Sequence, residues 1–234
     1  MDKYIVVDIE STGVKLSEDE IIEIGAVYIE EGVLKDKFNM LIKPTTPISQ
    51  NITNITGITN EMVRYSYSID IVLPKFIEFT RNCPLVGHNI NIFDYRLLKI
   101  HANRLKLAFN HELVDTLVIS RKVLDMLPSR KLGDLCEFYK IRLVNAHRAY
   151  DDAYATYELF VKLKQEFGAT NPELFIPQKI EFKPPKIEPI TLKQVAYLES
   201  LCKKYNILPE KDIATMSKSE GSRNIDKIIS QYGR

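Results

Sequence analysis

Three short segments carry the residues whose types and spacing could do chemistry. Asp8-Ile9-Glu10 closes an apolar run, Tyr4–Asp8. On a strand, side chains two apart share a face, so Asp8 and Glu10 point one way and Ile9 points into the core. Two carboxylates at a strand end offer the hard oxygens that a divalent cation selects, although a lone Asp-x-Glu is more often a strand meeting solvent. The second segment is Gly87-His88-Asn89-Ile90-Asn91-Ile92-Phe93-Asp94. Its Asp94 lies beside a helical stripe of Phe93, Leu97 and Ile100, where an acid can simply stabilise a helix N-terminus. The third is His147-Arg148-Ala149-Tyr150-Asp151-Asp152. Helical phase separates its two aspartates: Asp152 shares a face with Ala155, Leu159 and Leu163, and Asp151 shares one with Glu158 and Lys162. Asp152 therefore points toward a sheet, and an inward aspartate needs a partner, for which a metal ion is suitable.

These residues need elements to carry them. Tyr4–Asp8 reads as a strand buried on both faces. Ile21–Ile29 and Val33–Ile42 read as two further strands, joined by a turn at Glu31-Gly32. A polar Pro/Thr/Asn stretch runs from Pro44 to Asn60. Helices are predicted over 69–80, 92–106, 115–126, 131–140 and 149–167, with a short strand at Pro84–Val86 and a helix cap at Asp115-Thr116. This is an α/β pattern, a mixed sheet with helices packed on it. Between Ala169 and Pro189 stand five prolines, Pro172, Pro177, Pro184, Pro185 and Pro189, which read as a stiff linker. Thr191-x-x-Gln194 and Ser217-x-x-Glu220 then resemble capping boxes opening helices. The expected organisation is a catalytic domain at 1–168, a linker at 169–189 and a small helical module at 190–234. The core of that module is expected to hold Tyr197, Leu198, Leu201, Ile225, Ile228 and Ile229.

In this order, Asp8-x-Glu10, His88-Asn89-x-x-x-Phe93-Asp94 and His147-x-x-x-x-Asp152 resemble the DEDDh, or DnaQ-like, family of 3′–5′ exonucleases. Val7–Gly13 looks like its first motif, His147–Ala153 looks like its third, and Ile55-Thr56-Gly57-Ile58-Thr59 resembles a nucleotide-pocket segment between the first two. The five-residue step from His147 to Asp152 marks the histidine class. The resemblance covers about residues 2–167 and is nearest to exonuclease domains of PolC-type polymerases. It implies a ribonuclease H-like fold and two Mg²⁺ or Mn²⁺ ions. Asp8, Glu10 and Asp152 would hold one ion, Asp8 and Asp94 the other, with His147 as the base. It also places Thr12, Gly13, Thr56 and Gly57 around the terminal nucleotide. Phe93 is left between base stacking and core packing. His88 and Asn89 are read as supports behind the site.

The residue types suit the chemistry implied. A phosphodiester repels hydroxide, and divalent ions offset that charge. An imidazole, with an ordinary pKa of about 6.5, serves as a base near neutral pH. The expected substrate is a nucleic-acid 3′ end, single-stranded DNA ahead of RNA, and a DNA polymerase or another replication or repair protein is an expected partner. The competing readings are an exonuclease trimming RNA ends and a domain of this fold that tethers nucleic acid or a polymerase without cutting.

Formal net charge is +1, so bulk charge names no partner. Charge is uneven, however: residues 96–149 hold eleven Lys/Arg against five acids, which suits a polyanion. Over 186–234 there are nine Lys/Arg against six acids, including Glu210, Lys211 and Arg234. Cys83, Cys136 and Cys202 are odd in number and far apart, which argues against a disulfide framework or a zinc site. With no signal-like start and no long apolar run, a cytoplasmic, membrane-free protein is expected.

Overall fold

The computed structural model describes residues 1–186, 188–209 and 212–233. Three of the charges counted above, Glu210, Lys211 and Arg234, lie outside the described residues. The first strand, β1 (Lys3–Ser11), alternates as its sequence demands. Ile5, Val7 and Ile9 enter one core, and Tyr4 and Val6 enter another. On that second face the pattern turns from apolar to acidic at Asp8 and Glu10. β2 (Ile21–Glu30) and β3 (Val33–Leu41) follow as an antiparallel pair. The stretch read as polar loop instead contains α1 (Gln50–Thr56) and α2 (Asn60–Val63). Ser49 caps the first of these, and Gly57 ends it at φ 70°. Ile48, Ile58 and Val63 then cover Ile22 of β2.

Next come α3 (Ile69–Thr80), β4 (Leu85–Gly87), α4 (Asp94–Arg104), β5 (Glu112–Asp115), α5 (Thr116–Val123), α6 (Leu132–Tyr139) and α7 (Ala149–Phe167). With β6 (Gln178–Lys179) the strands form one mixed sheet in the order β3-β2-β1-β4-β5-β6. β1 is central, antiparallel to β2 and parallel to β4. Helices α3 and α4 pack on one face, and α5, α6 and α7 on the other. The acidic end of β1 therefore lies between an α4 start and an α7 start, which is what a site built from all three segments needs.

The stiff linker expected at 169–189 is corrected by the structure. The chain divides into two units, Met1–Pro184 and Pro185–Arg234. Residues up to Pro184 belong to the first unit because apolar residues interleave with the prolines. Phe175 is buried with its ring 5.9 Å from that of Phe160. β6 pairs antiparallel with β5, Ile180 packs on the first core, and the Arg96 guanidinium lies 5.1 Å from the Phe182 ring. Proline is tolerated there because an edge strand needs few of its N–H groups.

In the second unit, α8 (Leu192–Tyr205) and α9 (Lys218–Tyr232) both open with complete capping boxes, Thr191 with Gln194 and Ser217 with Glu220. Leu198, Leu201, Ile225 and Ile228 share its core with Ile190, Cys202, Ile213 and Met216, and Ile229 packs at the edge. Tyr197, expected in that core, is instead exposed, because it falls off the inward stripe of α8.

Candidate active site

Each functional side chain is positioned by an identifiable local device. The backbone N–H of Ile9 donates to Asp94 Oδ1 at 3.2 Å, so the first residue of α4 is fastened to the acidic end of β1. Asp152 sits one turn into α7, buried, and its Oδ2 accepts from the backbone N–H of His147 at 2.9 Å. His147 holds a left-handed backbone, φ 65°, that turns the chain into α7. Its side chain is exposed. Ligand atoms of Glu10, His147 and Asp152 lie within 4.8 Å of one another. Asp151 points away, as its phase requires, and accepts from Asn145.

Electrostatics separates this cluster from ordinary surface acids. Burial pushes the Asp8 carboxyl well above its usual range, and Asp94, Asp152 and Glu10 add to that by like charge. Burial, then Asp152, raises Glu10 to about 8. Burial raises Asp94 to about 7 and Asp152 to about 6. Four acids that resist ionising together fit a divalent cation: the convergent donors among the described residues are carboxylate oxygens plus one imidazole. Among the described residues the ligand atoms of Glu10, Asp152 and His147 converge, and Asp8 and Asp94 border the same cavity.

All of these residues border one open cavity of about 1010 Å³. Asn89 and Phe93 border it too, and Phe93 also packs against the first core. His88 is held on both nitrogens, by Thr116 Oγ1 at 2.9 Å and by the Arg130 carbonyl at 3.0 Å. A carbonyl only accepts, so Nε2 carries the proton. Burial lowers the His88 pKa. Thr12, Gly13, Thr56 and Gly57 are not among the residues bordering this cavity. Thr56 is buried, donating to the Ile52 carbonyl and accepting from Ile58 N–H. Thr12 is engaged with Asp19 and Glu20.

One residue that shapes the site, Glu23, went unread in the sequence, and another, Asp115, was read only in part. Glu23 of β2 is 1% exposed and stands opposite Glu10. It accepts from Arg148 Nε at 3.0 Å, Arg148 Nη2 at 2.7 Å and the Ala149 N–H at 3.1 Å, and so anchors the start of α7. Its signal was a charge inside an apolar strand, which requires a buried partner. Asp115 does more than cap α5. It also accepts from the backbone N–H groups of Asn89 and Asn91 at 3.0 and 3.1 Å, which sets the loop leading to Asp94.

Comparison with known proteins agrees with this geometry. The RNase_T family model, described as exonuclease, matches residues 5–160. The PolC-type DNA polymerase III of Caldanaerobacter subterraneus is 36% identical over 234 residues, covering 98% of this chain and 15% of that protein. The DNA polymerase III epsilon subunit of Aquifex aeolicus is 32% identical over 164 residues, covering 70% of this chain and 81% of that protein. The chain thus spans only a small part of the PolC-type relatives it matches. A solved exonuclease I overlays with a TM-score of 0.65 at 22% identity, covering 75% of this chain and 42% of that one. E. coli exonuclease I in complex with a dT13 oligonucleotide overlays at 0.63 and 19%, covering 75% and 43%. At those identities the overlays speak to the fold, a ribonuclease H-like mixed sheet flanked by helices. The match over most of β1 to α7 is to a divalent-metal-dependent exonuclease domain, and the chain belongs to the DnaQ-like family of 3′–5′ exonucleases.

Proposed function

We propose that this chain removes nucleotides one at a time from the 3′ end of single-stranded DNA, releasing nucleoside 5′-monophosphates. The observation that carries this reading is the convergence of Asp8, Glu10, Asp94, Asp152 and His147 on one cavity. Asp8, Glu10, Asp94 and Asp152 would hold two Mg²⁺ or Mn²⁺ ions. When bound, such ions offset phosphate charge and lower the pKa of a water. His147, exposed beside Glu10 and Asp152, takes the proton of the attacking water. Asp152 orients it through the His147 backbone N–H. Phe93 stacks on the terminal base. Asn89 and His88 support the loop that carries Asp94. Thr12, Gly13, Thr56 and Gly57 would flank the terminal nucleotide from outside this cavity, where the Thr12 and Thr56 hydroxyls and the Thr12 and Gly57 N–H groups already have partners.

We further propose that the chain works with a DNA polymerase or another replication or repair protein in the cytoplasm. The likeness to PolC-type and epsilon proteins supports the partner. The three buried free cysteines are compatible with a reducing compartment, and no described helix is long and apolar enough to cross a membrane.

The test uses 5′-labelled DNA and RNA oligonucleotides with Mg²⁺ or Mn²⁺. A ladder shortening from the 3′ end, faster on single-stranded DNA and stopped by EDTA, is the expected result. Nicking of a circular single strand, or full activity in EDTA, overturns the reading. Faster loss of RNA moves the substrate from DNA to RNA.

A further inference from the structure

Besides the acids, the same cavity carries basic residues that the proposed chemistry leaves unused. Arg121 of α5 borders it, together with Arg130 and Lys131 from the loop before α6. Among the described residues no ion pair engages any of the three. Asp134, which also borders the cavity, is occupied by the Ser129 hydroxyl. The Nε of Arg130 is buried with no hydrogen-bond partner among the described residues. This basic group is built rather than incidental. Arg130 Nη2 donates to the Asp125 carbonyl at 2.5 Å, and its own carbonyl receives the His88 ring at 3.0 Å. His88 thereby ties the basic loop to the segment that leads into Asp94.

A cavity of about 1010 Å³ lies at the top of the roughly 300–1,000 Å³ range that encloses one drug-sized molecule. It has room for more than a terminal nucleotide. An enzyme that trims a 3′ end has strand on one side only: every phosphate beyond the scissile one lies 5′ of it. We propose that Arg121, Arg130 and Lys131 bind the backbone phosphates immediately 5′ of the nucleotide being removed. This rests on the exonuclease reading above and adds the residues that grip the strand. Contacts to phosphate position a strand without reading its bases, so the grip is indifferent to sequence.

The test is the double variant Arg121→Gln/Lys131→Gln, two exposed positions at which folding is not at risk. It is assayed on a single-stranded oligonucleotide and on p-nitrophenyl thymidine 5′-phosphate, a phosphodiester with no phosphate upstream. The expected result is a fall of about tenfold or more in kcat/KM on the oligonucleotide, well beyond any fall on the ester. The slope of log(kcat/KM) against log salt should become shallower by about 0.7 for each phosphate no longer neutralised, the single-strand value. Equal falls on both substrates would overturn the proposal, because the side chains would then act at the scissile phosphate. No fall on the oligonucleotide would also overturn it. If the wild type cleaves neither substrate, the exonuclease reading fails by itself. Fluorescence anisotropy of a labelled oligonucleotide in Ca²⁺ then decides the grip separately: weaker binding by the double variant supports it, and equal binding overturns it.

Discussion

At Asp8 the structure concentrates negative charge that folding alone does not favour. Burial and like charge raise the carboxyls of Asp8, Glu10, Asp94 and Asp152 above their ordinary values, Glu10 to about 8 from 4.5. The metal-free folded state therefore binds protons more tightly than the unfolded chain does. Its stability from these groups is present at acid pH and is lost as pH rises from the ordinary carboxylate range through about 8. Divalent ions compete with those protons, so their effect has the opposite pH dependence. The Mg²⁺-induced rise in Tm is expected to be small near pH 5.5 and large near pH 8.5, and Asp8→Asn should flatten that difference. Equal rises at both pH values, read by scanning fluorimetry, would exclude these acids as the metal site. Cleavage by Asp8→Asn should be lost while the variant's metal-free Tm at pH 8 holds or rises. His147 is judged by rate instead. His147→Ala is expected to lose about 10²–10⁴-fold in kcat, the usual scale for a general base. A loss well below 10²-fold in a folded variant would assign the proton to another group.

The acids meet only because α7 approaches β2 more closely than a side chain permits. A Cβ at Gly25 would stand 2.1 Å from the backbone of Ala149 and Tyr150, closer than any pair of unbonded atoms allows. Gly25 pairs with Asp8 across the ladder, and Glu23 anchors the same helix start two residues earlier. Gly25→Ala must therefore push the start of α7 away, and with it Asp152 and the His147 backbone. The expected cost is at least the roughly 1–3 kcal/mol of an overpacked core. Cleavage should fall further than the reduced stability explains when measured well below Tm. Normal activity in a folded Gly25→Ala protein would mean that the spacing of α7 on the sheet is not critical. This is also where the sequence was least legible. Phase was enough to send Asp152 inward and Asp151 outward, because 3.6-residue periodicity needs only local information. The reason for Gly25, the partner of Glu23 and the second set of hydrogen bonds at Asp115 depend on packing between residues tens of positions apart. No local pattern records such packing. The α1 and α2 helices were hidden for a different cause: at seven and four residues they are too short for an apolar period to emerge, and their caps were the only local mark.

At the scale of the whole molecule the division at Pro184 and Pro185 changes where the chain can be cut. Proline content, weak periodicity and a family resemblance ending near residue 167 placed the end of the catalytic part near residue 168. The segment read as a stiff linker packs instead: Leu174, Phe175 and Ile180 reach the first unit's cores, and Phe182 lies against the Arg96 guanidinium. Two truncations separate the possibilities. Ending the chain after Thr170 removes Phe175 from beside Phe160 and β6 from the edge of β5. Fully burying one phenylalanine is worth about 1.5–3 kcal/mol, and unpaired edge backbone is then left on β5. That protein is expected to melt lower than the full chain and to aggregate more readily. Ending the chain after Pro184 keeps all of that packing and pairing and removes only the second unit, whose core of Leu198, Leu201, Ile225 and Ile228 is its own. The longer truncated protein should keep the melting temperature of the first unit and its kcat on a short oligonucleotide. If the second unit supplies a separate weak hold on nucleic acid, its removal should lower processivity on long strands, most visibly at low salt. If the second unit docks a protein instead, long-strand cleavage should be the same with and without it at every salt concentration. Equal melting of the two truncated proteins would show that residues 171–184 contribute nothing to the catalytic unit.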